Sequence, residues 1–284
     1  MSEPMTAQNT PKVSIGMPVY NGGKTLAKAI QSVIAQSVPE IEIIISDNGS
    51  KDNTAEVCKE FIAKDPRIRY FRQPETICAT ENFKFALDKA RGPYFMWAAH
   101  DDVRDPDYAE RLMEALEANP QAILAFGDVI RTENGVTAPM PLEFLNAGLS
   151  PLQRLRREAL YPLHHLYGLW RTETLKRIPW RHVDWWHDTP IMMAATMMGD
   201  FLHVPGVRFH YLSNQHFFFH WKDSDGFGHK LAIVARRTYD LALLVWLCGW
   251  TVAKVSNPLL GLAGGWYGLR KVADQISSFI RQRI

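Results

Sequence analysis

The chain has 284 residues, of which 46% are hydrophobic and 22% charged; this excludes a disordered or low-complexity protein and leaves room for one large domain with an appendage, or two modest domains. Its 32 basic and 30 acidic residues give a net charge of +2, too small an excess for a dedicated nucleic-acid binder, so no nucleic-acid partner is expected. The three cysteines, Cys58, Cys78 and Cys248, form no CxxC pair, which argues against a disulfide framework or zinc site and fits a reducing cytosol.

Residues 1–11 carry no apolar run of the signal-peptide kind and read as a flexible arm. Residues 13–19 are a β-branched apolar run, a first strand, ended by Tyr20-Asn21-Gly22-Gly23. Over 25–36, apolar residues recur at Leu26, Ala29, Ile30, Val33 and Ile34, the period of a helix. Residues 41–46 predict a second strand stopped by Asp47-Asn48-Gly49-Ser50, and Asp52-Asn53-Thr54 opens a helix running to about residue 64. A third strand at 68–71, a helix over 82–91 and a fourth strand at 94–99 follow. Near-continuous apolar strands alternating with helices predict an α/β fold with a mostly parallel sheet covered on both faces.

Further along, Asp105 suits the cap of a helix starting near Pro106, and 123–131 predicts a strand running into a turn at Glu133-Asn134-Gly135. Residues 139–151 read as a loop. A helix over 152–160 carries Arg154, Arg156 and Arg157, either a solvated face or a meeting point for an anionic acceptor. A helix from Pro190 to Met198 follows Trp185-Trp186-His187-Asp188.

Ligands of such sheets bind beyond the carboxyl ends of the strands. The polar clusters there are Tyr20-Asn21, Asp47 to Ser50, and His100-Asp101-Asp102. No GxGxxG follows the first strand, and there is no GxxxxGK[ST]. Each cluster has a plainer reading. Asp47 to Ser50 is good turn chemistry, and Asp188 can act as an N-cap before Pro190. Two adjacent carboxylates, Asp101 and Asp102, repel each other and invite a cation.

PVYNGGKTLAKAIQSVIAQ, then IIISDNGSKDNT, then YFMWAAHDDVRDPDY, in this order, resemble family 2 glycosyltransferases of the GT-A fold, over about residues 12–220. The resemblance implies a Rossmann-like sheet flanked by helices, with a nucleotide-sugar half at 12–102 and an acceptor half at 103–228. It implies inverting transfer of a sugar from a UDP-, dTDP- or GDP-sugar to a hydroxyl of a glycan or lipid-linked acceptor, in surface-polysaccharide or glycolipid assembly. Under it, Pro18, Tyr20, Asn21 and Asn48 line the nucleotide pocket, Asp47 accepts from the base, and Asn82 and Asp101 approach the donor. Glu81 stands where the family often has an arginine. Asp101 and Asp102 match the metal-binding end of the acidic motif, with Ala99 in place of its first aspartate, so an Mn²⁺ or Mg²⁺ ion would be held there. His216, or failing that His220, would reach the same metal. Asp188 falls in the position of the general base, with His187 replacing the preceding glutamate. Trp185 and Trp186 would desolvate Asp188 and raise its pKa. The QxxRW motif of processive synthases is absent, which implies one sugar per visit.

From His229 onward there are eight basic and two acidic residues, so an acidic body precedes a basic tail. Residues 241–253 and 259–269 are uncharged runs, each short of the roughly 20 residues of a spanning helix. Trp246, Trp250, Trp266 and Tyr267 suit the headgroup region. Residues 229–284 therefore predict helices lying on an anionic membrane surface, at the cytoplasmic face, with core helices or an oligomer interface as the other reading. Two other functions stay open: a silent sugar-nucleotide-binding subunit, given Ala99 and Glu81, and a nucleotidyltransferase, for which Gly22-Gly23-Lys24 is a poor phosphate loop.

Overall fold

The computed structural model of the protein describes residues 10–140, 148–160, 164–180, 188–212, 248–250, 252–256, 259–266 and 269. Strands β1 (Val13–Val19), β2 (Ile41–Asp47), β3 (Ile68–Arg72) and β4 (Tyr94–Trp97) alternate with helices α1 (Leu26–Ile34), α2 (Thr54–Ile62) and α3 (Ala79–Asp88). Then come β5 (Val103–Arg104), α4 (Tyr108–Ala118), β6 (Ala122–Glu133), β7 (Val136–Pro139) and α5 (Pro151–Leu160). A 3₁₀ turn (His164–Tyr167) leads to β8 (Leu169–Arg171), α6 (Thr172–Lys176), α7 (Asp188–Ala195) and β9 (Asp200–Leu212).

The strands form one sheet in the order β3-β2-β1-β4-β8-β6-β9-β5, with β7 paired to β6. β3, β2, β1 and β4 are parallel. β8 then runs antiparallel to both β4 and β6, and β5 antiparallel to β9, while β6 and β9 are parallel. The expectation of a mostly parallel sheet is thus corrected: it describes the first half, and the second half is mixed.

Every residue of β1 and β2 is buried, because helices cover both faces. On one face Ile15, Met17, Ile43 and Ile45 pack with Leu26, Ile30 and Val33 of α1 and with Leu112 and Leu116 of α4. On the other, Ile44, Phe95 and Trp97 pack with Ala86 and Leu87 of α3, Leu175 of α6, and Met192 and Ala195 of α7. Each such aliphatic side chain contributes roughly 1.5–3 kcal/mol. A third cluster joins Leu155 of α5 and Met193 of α7 to Cys248 and Val252.

Several local expectations shift. α3 starts at Ala79, three residues early, after Cys78 in an extended conformation. Asp105 does not cap α4: its carboxylate accepts from the Arg208 amide (3.1 Å) and meets His210 Nε2 (3.0 Å), so it ties α4's approach to β9. The Asn134-Gly135 turn forms as expected, both residues at positive φ, and the chain returns as β7, which ends where the stretch read as a loop begins.

Candidate active site

The carboxyl ends of β1, β2 and β4 meet at one edge, as parallel order requires. After β1, Asn21 adopts a left-handed conformation (φ 51°), which asparagine tolerates through local hydrogen bonding. Its amide donates to Ser50 Oγ (2.9 Å) and its Oδ1 accepts from the Lys51 amide (2.9 Å). The Gly22 amide donates to Thr54 Oγ1 (3.0 Å) and the Gly23 amide to Asp52 Oδ2 (2.9 Å). Burial opposes ionisation of Asp52, but donors from Thr54 and Gly23 outweigh it and hold its pKa below the usual carboxylate range. Turn one is therefore laced to turn two. Pro18 is buried under it, and Tyr20 is exposed at the rim.

After β2, Gly49 takes the positive φ (68°) that the Asp47–Ser50 turn demands. Asp47 is fully buried. Its Oδ1 accepts from the Ser50 amide (2.9 Å) and its Oδ2 from Tyr70 Oη (2.7 Å), with Arg72 Nε at 3.8 Å. Burial first, then the bond to Asp47, raises the Tyr70 pKa, so its hydroxyl remains a donor. Each carboxylate oxygen keeps a second lone pair, but the side chain has no exposed surface, so a ligand N–H would reach it only by displacing Tyr70 or Arg72. Tyr70 and Arg72 were not singled out from the sequence; their only signal is position on the strand beside β2.

Asn48 and Asn82 both spend their amides on the scaffold. Asn48 Nδ2 donates to the Ile77 carbonyl (2.9 Å) and its Oδ1 accepts from the Ile77 amide (2.8 Å). Asn82 is buried, accepts from Ser46 Oγ (2.6 Å) and donates Nδ2 to the Ser46 carbonyl (3.0 Å). Both amides hold the loop and helix α3 against the end of β2. They shape the wall of the site.

After β4, His100 Nδ1 lies 3.1 Å from Thr25 Oγ1, bridging turn four to the start of α1. Asp101 is half-buried, and Asp102 is buried with Oδ1 accepting from the Leu212 amide (3.1 Å). Burial, then the neighbouring charge of Asp101, pushes the Asp102 pKa up to about 7, against the pull of Arg104. Arg104 is buried, and Nη2 donates to the Trp97 carbonyl (2.6 Å). Its guanidinium sits 4.9 Å from the Phe209 ring centroid and 5.9 Å from that of Tyr108. Nε and Nη1 have no hydrogen-bond partner among the described residues, and burial lowers the Arg104 pKa.

Asp188 opens α7, half-buried, with Oδ1 accepting from the Thr189 amide (2.9 Å). Tyr167 ties it to the rest. Its pKa is raised by burial and then by the charges of Asp102, Asp188 and Asp101, in that order. Three carboxylates from β4's turn and α7 therefore converge electrostatically on one tyrosine, a group the sequence reading missed. Trp185, Trp186, His187, His216 and His220 lie outside the described residues.

Among the described residues no cluster of three or more His, Cys, Asp or Glu forms a ready metal site. The pair Asp101–Asp102 still has the chemistry for a divalent ion: adjacent oxygen donors, one destabilised as an anion until a cation arrives.

The fold has close counterparts. The Staphylococcus aureus TarS 1–349 structure in complex with UDP-GlcNAc matches with a TM-score of 0.62 at 15% identity, over 95% of this chain and 92% of that one. The mannosyltransferase PcManGT from Pyrobaculum calidifontis, in complex with GDP-Man and Mn²⁺, matches with a TM-score of 0.57 at 16% identity, over 94% and 74%. Among curated proteins, an uncharacterized glycosyltransferase of Rickettsia felis is 33% identical over 153 residues, 51% of this chain and 25% of the relative. Glycosyltransferase GlyG of Streptococcus pneumoniae serotype 4 is 30% identical over 105 residues, 37% of this chain and 35% of the relative. The chain thus spans about a quarter to a third of the length of these relatives. The profile described as Glycosyl transferase family 2 covers residues 14–174, more than half of the sequence and all three of the turns described above; with that coverage, the chain belongs to glycosyl transferase family 2.

Proposed function

We propose that the protein is an inverting glycosyltransferase that moves a sugar from a nucleotide-sugar donor to an acceptor hydroxyl. What supports this is that the charges of Asp102, Asp188 and Asp101 all act on the buried Tyr167, and that Asp101 and Asp102 follow β4 at the carboxyl edge that also carries the Asp47 turn. In direct displacement, a base beside the acceptor hydroxyl removes its proton while the nucleoside diphosphate leaves from the opposite face of the sugar. Asp188 is that base. Its Thr189 bond engages Oδ1, and Oδ2 would take the proton.

Asp47 accepts an imide N–H of the base once Tyr70 or Arg72 is displaced, with the Ser50 amide fixing its carboxylate. Tyr20 and Asn21 frame the nucleoside. The donors bound to TarS and PcManGT, UDP-GlcNAc and GDP-Man, support a nucleotide-sugar of this kind. Asp101 and Asp102 would hold a divalent ion, which when bound neutralises charge on the leaving diphosphate. The tail's basic surplus supports work at the cytoplasmic face of a membrane, in polysaccharide or glycolipid assembly.

The test is Asp188→Asn. Transfer should fall by about 10²–10⁴-fold, while calorimetric binding of nucleoside diphosphate stays within about twofold, since Asp188 does not touch the nucleotide turns. Unchanged turnover would reject the base assignment. Loss of nucleotide binding would instead place Asp188 in donor recognition.

A further inference from the structure

The described helical residues of the tail, 248–250, 252–255, 259–266 and 269, lie against the body. Cys248 and Val252 are fully buried with Leu155 and Met193, and Leu260 and Ala263 join the same cluster. Small residues bring the segments together. A Cβ on Gly261 would lie 2.6 Å from Ala253 Cβ and 2.8 Å from the Gly249 carbonyl oxygen; one on Gly264 would lie 3.0 Å from the Cys248 carbonyl oxygen. Gly261 and Gly264 are buried and define the inner side of the second helix.

Its outer side is apolar as well. Leu259 is 79% exposed, Leu262 74%, Trp266 65% and Leu269 47%. Their spacing of three, four and three residues places all four on a single helical stripe. No charged residue occurs from Val255 to Leu269. A helix of a soluble body turns one apolar stripe inward and a polar face outward; among the described residues this one has two apolar faces, one packed on the body and one exposed.

Charge and dimensions identify what covers the other. Lys254 precedes the stripe, Arg270 and Lys271 follow it, and the chain from His229 holds eight basic residues against two acidic. The eight described helical residues 259–266 extend about 12 Å, less than half a hydrocarbon core. Among the described residues no helix is long and apolar enough to cross a membrane. A tryptophan near one end of the stripe suits the headgroup boundary.

We propose that Leu259, Leu262, Trp266 and Leu269 insert side-on into an anionic lipid surface, with the flanking basic residues at the headgroups. The inner side of the same helix shares a cluster with Met193 of α7, the helix that begins at Asp188. The bound surface therefore lies about one helix thickness, ~10 Å, from α7. Resting on the reading of Asp188 as the base, this narrows the acceptor to one carried at a lipid surface.

The experiment is vesicle co-sedimentation of the full chain. Phosphatidylcholine vesicles containing about a third phosphatidylglycerol should bind it about tenfold or more better than phosphatidylcholine alone, and added salt should reverse the difference. The double variant Leu262→Glu, Trp266→Glu should lose about tenfold or more of that binding. Its nucleoside diphosphate affinity should stay within about twofold, because both side chains lie outside the nucleotide turns and face solvent. Wild-type binding by the double variant, or equal binding to both vesicle types, would overturn the proposal. So would a wild-type dimer without vesicle binding that the double variant converts to monomer, which would assign the stripe to a second copy. Asp188→Asn must bind vesicles as wild type does. A chain that binds vesicles but never transfers sugar would sink the functional reading and leave the lipid face standing. One that transfers sugar without binding vesicles would do the reverse.

Discussion

Two carboxylates are buried in the same sheet, at opposite edges, and their pKa values move in opposite directions. Glu42, at the amino edge of β2, accepts from Ser14 Oγ (2.7 Å), the Arg91 amide (2.8 Å), Arg91 Nε (2.9 Å) and Arg69 Nη1 (2.7 Å). Burial pushes its pKa up, yet the bonds from Ser14, Arg91 and Arg69 overcome it and hold the acid below its ordinary range. Asp102, at the carboxyl edge, has one backbone donor and an acidic neighbour, and sits near 7. Burial is common to both, so the donors around each group decide the sign. The amino edge is finished as a structural joint, while the carboxyl edge is left wanting a positive charge, the mark of a working site.

The contrast can be broken by substitution. The largest stability effect is expected at Asp47→Ala, which strips the acceptor from the Ser50 amide and Tyr70 hydroxyl together. A loss of about 3 kcal/mol, read from the urea midpoint, should accompany a loss of nucleotide binding. Glu42→Gln should cost about 2 kcal/mol at neutral pH, a figure kept low because Arg69 and Arg91 reach solvent. The Glu42 pKa is lowered on folding, so its contribution is present above the unfolded value and fades as pH falls through the folded one. The gap between wild type and variant should therefore close in acid, and donor binding should not change.

Asp102→Asn should act with the opposite sign. Its pKa is raised on folding, so between about 4 and 7 the folded state holds more protons than the unfolded one. Stability from this group falls as pH rises. In the presence of chelator, the variant should match wild type near pH 4 and exceed it by on the order of 2 kcal/mol at pH 8, while cation-dependent donor binding weakens. If Asp102→Asn destabilised at pH 8, the two edges would not differ as argued. The smallest effect belongs to Arg72→Gln: a half-exposed arginine 3.8 Å from Asp47 should be worth under about 0.5 kcal/mol by thermal melt.

How much of this could be read in the sequence depended on whether a signal was local. β1, α1, β2, α2 and β3 fall within about two residues of expectation, because continuous apolar runs and a helical stripe are local patterns. β5 has only two residues, and β9 is interrupted at Pro205-Gly206, so neither presents a period to detect. β9 pairs with β6 across some eighty positions, which no local pattern encodes. The same holds for the site. Asp47, Asp101, Asp102 and Asp188 stood out at strand and helix ends. Tyr70 and Tyr167, which fix or report on those carboxylates, lie on other segments and carry no motif. Asn48 and Asn82 stood out at the same edge, and their amides hydrogen-bond into the scaffold.

The lacing of turn one to turn two has a further consequence. A glycine-containing turn leading into a helix ordinarily offers a nest of free N–H groups to an anion. Here the amides of Asn21, Gly22 and Gly23 already donate to Ser50, Thr54 and Asp52. The turn is chemically quiet toward phosphate, which removes the loop that a nucleotidyltransferase would need. The β1 turn therefore offers pyrophosphate no cradle of its own, and recognition of charge at this edge falls to the Asp101–Asp102 side.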